Sequence, residues 1–126
     1  MFEKETALGL DGYDPLTFFE GDAPRRGQFE CKTKMHGKTY LFLNAENRGR
    51  FQRNPASFLP QFGGFCAFAC GLYGGLVPGS TEFRRVLSGK LYLFSGPRSL
   101  WAWERWPKLI SWGHSHYDRK FKIKTN

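Results

Sequence analysis

Two cysteines four residues apart, Cys66 and Cys70, are the side chains of this 126-residue sequence best suited to chemistry. On a helix that spacing places them on one face, about one turn from each other. Two thiolates so arranged can hold one soft ion, Cu(I) or Zn(II). Gly63-Gly64 marks a helix start just before Cys66, where the positive end of the helix dipole favours a thiolate. The same feature makes Cys66 the centre of an alternative reading, a thiol-dependent redox protein. The competing reading is that both cysteines pack among Phe62, Phe65 and Phe68 as small hydrophobes. A disulfide between them is not expected, because helical i, i+4 side chains are staggered rather than crossed. Cys31 makes the cysteine count odd, which points to free thiols.

The histidines offer less. His114-Ser115-His116, with Asp118 nearby, puts two imidazoles on one side if extended and about 200° apart if helical. A solvated helix end is the simpler reading. His36 fits a hairpin turn, since it tolerates positive φ better than most residues. No Ser–His–Asp order, phosphate loop or paired-carboxylate motif is visible, so the reading leans away from an enzyme.

Charge adds a third possibility. Residues 1–30 hold seven acids and three bases, whereas residues 31–126 hold sixteen bases and four acids. Near the C-terminus Trp101, Trp103, Trp106 and Trp112 interleave with Arg98, Arg105, Lys108, Arg119, Lys120, Lys122 and Lys124. Rings beside a basic groove suit a nucleic-acid strand or an anionic surface. The plainer expectation is that these tryptophans pack the last helix onto the strands.

These groups need a scaffold. A chain of this size buries about two-thirds of its surface, enough for a core without disulfides. The aromatic share of 17% excludes intrinsic disorder. Glycines and prolines break the uncharged stretch from Asn54 to Thr81, so no membrane span is expected. Met1-Phe2-Glu3-Lys4-Glu5 has no signal-peptide pattern, which points to the cytoplasm unless a leader was removed.

Asp14-Pro15 reads as the start of a short helix ending by Gly21. Residues 29–35 alternate as a half-buried strand, turn at His36-Gly37 and return from Lys38 to Leu43. That register opposes Met35 to Lys38, Thr33 to Tyr40 and Cys31 to Phe42, which makes Cys31 a small core residue. A second hairpin runs from Phe83 through Ser88-Gly89 to Phe94. Gly37-Lys38-Thr39-Tyr40-Leu41-Phe42 and Gly89-Lys90-Leu91-Tyr92-Leu93-Phe94 differ at one position of six. Shared hairpin chemistry explains this as well as duplication does. Asn44 caps a helix from Ala45 to Arg53, closed by Asn54-Pro55 and followed by one more turn. Ser99 is placed to cap a helix from Leu100 to Trp106, with Trp103 and Trp106 on one face, and Pro107 opens a last helix towards Phe121. Glycines from Gly63 to Gly71 bracket a compact helix around the cysteines. The closing Lys-Phe-Lys-Ile-Lys is an edge strand or disordered. The fold class is α+β, with two antiparallel hairpins and short helices.

The run Asn44-Ala45-Glu46-Asn47-Arg48, Phe51, Asn54-Pro55 and Phe58-Leu59-Pro60-Gln61-Phe62-Gly63-Gly64-Phe65-Cys66-Ala67-Phe68-Ala69 resembles a YHS-domain protein in its longer stand-alone form. Gly12-Tyr13-Asp14-Pro15 resembles that family's opening and Ser88-Gly89-Lys90-Leu91-Tyr92-Leu93 its closing hairpin. The resemblance implies a single YHS-like domain over residues 12–95, related to treble-clef-like metal modules. Residues 1–11 would be an arm, and residues 96–126 a Trp-rich basic helical extension packed on the domain. It also implies a protein that binds a metal ion, often copper, or a small ligand. Where the short family pattern places cysteines, this chain has Thr17, Leu43 and Asn47, and leucine offers no donor at all. The expected ligands of a soft metal are therefore Cys66 and Cys70. Tyr13, Asp14, Tyr40, Phe62 and Phe65 are the candidates to line a small-ligand pocket.

Overall fold

The computed structural model describes residues 7–121. The chain is α+β and forms two compact units, residues 1–59 and 60–126. The sequence readings made for residues 1–5 and 122–124, including the edge-strand expectation, lie outside the described residues.

The first unit opens with a short strand, β1 (Ala7–Leu8), and a left-handed turn in which Leu10, Asp11 and Gly12 all have positive φ. A 3₁₀ turn over Pro15–Phe19 follows, capped by Asp14. Strands β2 (Gln28–Met35) and β3 (Lys38–Phe42) form the hairpin, and β1 pairs with β3 in parallel. Helix α1 (Ala45–Arg53) is capped by Asn44, whose side chain accepts the Asn47 N–H at 2.8 Å. Strand β3 is buried, with Phe42 and Tyr40 stacked on Phe51 of α1. The turn opposes Met35 to Lys38 and Thr33 to Tyr40, as the alternation predicts. Beyond Lys32 the register shifts, so Gln28 and not Cys31 opposes Phe42. Cys31 is consequently half-exposed on the bulged strand, not a core residue.

The second unit has a left-handed turn at Phe62-Gly63-Gly64, helix α2 (Ala67–Tyr73), strands β4 (Ser80–Leu87) and β5 (Lys90–Phe94), and helices α3 (Pro97–Arg105) and α4 (Lys108–Phe121). Helix α2 passes through Gly71 and stops at left-handed Gly74. Gly71 serves another purpose: a Cβ there would lie 2.5 Å from the Leu109 carbonyl oxygen of α4. Helix α3 starts earlier than Ser99, at Pro97, which takes the first helical position. Trp103 is buried in α3, but Trp106 caps the helix end outside it and does not share its face.

The two units are one architecture written twice, at positions differing by 52. Tyr13 bridges Arg26 and Phe65 bridges Pro78. The Gly27 N–H donates to Gly12 O at 2.9 Å, and the Gly79 N–H donates to Gly64 O at 3.1 Å. The left-handed Leu10-Asp11-Gly12 turn recurs as Phe62-Gly63-Gly64, and the His36-Gly37 turn as Ser88-Gly89. The bulge between Gln28 and Lys32 recurs between Ser80 and Arg84. Helix α1 corresponds to α3, and buried Phe51 to buried Trp103. Six similar residues could not establish this; backbone hydrogen bonds and register do.

Candidate functional site

The repeat places two fully buried residues, Asp14 and Cys66, at equivalent positions. Asp14 is fully buried. One carboxylate oxygen accepts the Leu16 N–H at 2.8 Å; the other accepts Leu43 N–H at 2.9 Å and Asn47 Nδ2 at 2.8 Å. Its own N–H donates to Arg25 O at 2.8 Å, while that of Cys66 donates to Val77 O at 2.6 Å. Cys66 stands at the N-terminal cap position of α2 as Asp14 does at its 3₁₀ turn, but only the Asp14 side chain accepts a capping N–H. Burial acts to raise the Cys66 pKa, but the nearby polar groups of Ala69, Ser95 and Phe68 outweigh it and lower the thiol below its ordinary range. Phe68 and Ser95 stand where Leu16 and Leu43 stand around Asp14.

Cys70, one turn on, differs. Its Sγ points to Gly113 O at 3.5 Å, and burial raises its pKa against the pull of Lys120. Both sulfurs lie in the core with Phe62, Tyr92, Phe94, Trp103 and Leu109. The packing alternative therefore describes both cysteines, with Cys66 at the start of α2 and Cys70 one turn on. Among the described residues, no three His, Cys, Asp or Glu side chains are grouped as a metal site requires.

Helix α4 separates the two histidines, as the helical alternative predicted. His114 stacks on Phe62, with ring centroids 4.9 Å apart, and its Nε2 lies 3.3 Å from the Tyr92 hydroxyl. Burial and Lys90 lower its pKa, partly opposed by Asp118. His116 Nδ1 lies 2.9 Å from Cys70 O. Neither is a solvated helix end: both are half-buried against α2 or β5. No carboxylate orients either ring by a hydrogen bond among the described contacts.

The five pocket candidates fall into both units. Tyr40 packs on Phe51, and Tyr13 is covered by the Arg26 guanidinium at 4.6 Å. Phe62 is buried and Phe65 half-buried in the second unit. None of the five lines the open cleft of that unit. This cleft, about 450 Å³, is formed by Leu72 of α2, Trp106 and Pro107 between α3 and α4, and Lys108, Leu109 and Trp112 of α4. Its wall is almost wholly apolar, with Lys108 as its charged member. The sequence signal for it was the Trp-rich tail, read first as core. Only Trp103 is buried; Trp101, Trp106 and Trp112 are each about half exposed.

Comparison with known protein families, curated proteins and solved structures finds no match. No helix among the described residues is long and apolar enough to cross a membrane.

Proposed function

We propose that this is a small-ligand-binding protein of YHS-like type and that its ligand occupies the apolar cleft of the second unit. The observation that carries the reading is a cleft of about 450 Å³ between two half-exposed tryptophans. That volume lies within the range of small-molecule sites, which are mostly apolar with a few polar groups fixing orientation. Trp106, Trp112 and Leu72 suit a flat or aliphatic body, and Lys108 suits an anionic group at its edge. Anilinonaphthalene sulfonate has both features and serves as the probe. Its fluorescence should rise on binding at one site, and Trp112→Ala should weaken that binding by about five- to tenfold. No enhancement, or binding by the Trp106→Ala and Trp112→Ala variants as tight as by the unaltered protein, would refute the cleft.

A second reading, a soft ion held by the Cys66 and Cys70 thiolates, rests on the depressed Cys66 pKa and the one-turn spacing. Cu(I) accepts two thiolates, whereas Zn(II) requires further ligands. Stoichiometric Cu(I) retained by the Cys66→Ser/Cys70→Ser protein would exclude it.

A further inference from the structure

The two copies of the unit act as an internal control on which side chains the fold requires. Trp101 stands where the first unit has Gly49, Trp106 where it has Asn54, and Leu72 where it has Glu20. The architecture forms with a glycine, an amide and a carboxylate at these places, so packing does not demand the large apolar groups of the second copy. They are also exposed: Trp101 by 58%, Trp106 by 56% and Leu72 by 49%. Surface tryptophans that the fold does not need, and that cost solubility, point to a partner.

Their arrangement says which kind. Phe68 and Leu72 are one turn apart on α2 and so are neighbours on its surface. Leu72 lines the cleft already described, while Phe68 lines a second hollow of about 560 Å³ with Pro97, Arg98, Ser99, Trp101 and Ala102. The two hollows therefore adjoin along α2 and make one apolar strip. Cations edge it: Arg98 at the second hollow, Lys108 at the cleft, and Arg105, whose guanidinium stacks on Trp101 at 3.9 Å. The nearby acid of α3, Glu104, is paired with Arg85 at 2.9 Å. The partner is thus anionic outside and apolar within.

We infer that this strip docks the protein on the surface of an anionic lipid bilayer, with Trp101, Trp106 and Trp112 at the headgroup level and Arg98, Arg105 and Lys108 against lipid phosphates and carboxylates. Tryptophan settles at that interface because its ring is apolar and its N–H is polar. Basic side chains reach the charged layer on aliphatic stems, each adding attraction to anionic lipid. A nucleic-acid strand fits less well, since stacking requires free ring faces and Arg105 already covers one face of Trp101. The inference rests on the ligand-binding reading in using the same cleft, now filled by the edge of a bilayer.

The test is co-sedimentation of the full chain with vesicles of phosphatidylcholine alone and with roughly a third phosphatidylserine. Binding is expected on the anionic vesicles only, weakening as salt rises, with a blue shift of tryptophan emission. Arg98→Glu/Lys108→Glu should lower the partition coefficient by at least about tenfold. Trp101→Ala, which replaces an exposed ring, should lower it with an unchanged thermal midpoint. Equal binding to neutral vesicles, no binding to either, or release from vesicles by single-stranded DNA that Trp101→Ala does not affect would each overturn the inference. Retained sulfonate-probe binding without vesicle binding would overturn it alone; loss of both would remove the ligand reading as well.

Discussion

Replacing Asp14 by alanine should be among the most damaging single changes in the first unit. The carboxylate is fully buried and accepts from Leu16 N–H, Leu43 N–H and Asn47 Nδ2, all between 2.8 and 2.9 Å. Truncation leaves three donors without their acceptor, and net hydrogen bonds to a charged group contribute about 1.5–3 kcal/mol each. The three share one acceptor, and Leu43 and Asn47 lie near enough to the surface for water to compensate in part. The expected loss is therefore about 3–5 kcal/mol, below the simple sum. Urea unfolding followed by far-UV circular dichroism measures it directly. With a slope of about 1–3 kcal/mol/M, the midpoint should fall by at least about 1 M. Asp14→Asn keeps one oxygen and should lose less. Asp14→Cys installs at this place the side chain found at the equivalent position of the second unit, which fills more of the space than alanine, so it should also lose less than the alanine variant. A loss under about 1 kcal/mol for Asp14→Ala would refute the capping argument. An Asp14→Cys protein no more stable than Asp14→Ala would refute the equivalence of Asp14 and Cys66.

Other expectations follow from the second unit. Gly71→Ala sets a Cβ against the Leu109 backbone carbonyl at 2.5 Å, where no flexible side chain can yield, and should cost about 1–3 kcal/mol in the same unfolding assay. His114, whose pKa burial and Lys90 lower, binds its proton more readily in the unfolded chain. Stability should thus fall as pH drops below about 6.5, and His114→Gln should flatten that dependence; an imidazole titrating at or above 6.5 by NMR would contradict this. The order of thiol labelling in the native protein should be Cys31 first, with buried Cys66 and Cys70 protected until unfolding. Rapid native labelling of Cys70 would show that α2 and α4 open more readily than their packing implies.

Local chemistry was legible from residue order. Asp14-Pro15, Asn44 and the two glycine turns each act through a side chain or a φ preference within a few positions, so the caps, hairpins and α+β class followed from pattern alone. The repeat was not legible. Its shared letters cluster in the hairpins, whereas its shared geometry rests on backbone bonds that unlike residues make equally well. Leu10 and Phe62 both adopt positive φ, and the Asp14 and Cys66 N–H groups donate to the equivalent carbonyls of Arg25 and Val77.

Sequence by itself determined the local elements, the excess of positive charge beyond residue 30 and the proximity of Cys66 to a helix start, because each depends on neighbours along the chain. The tertiary structure decided which groups are open and which are sealed. It buried Cys66, Cys70 and Trp103 in one core and left Trp101, Trp106 and Trp112 half exposed. Composition treats four tryptophans alike. Where each ring ends depends on which helix face meets β5 and α2, and only long-range packing sets that.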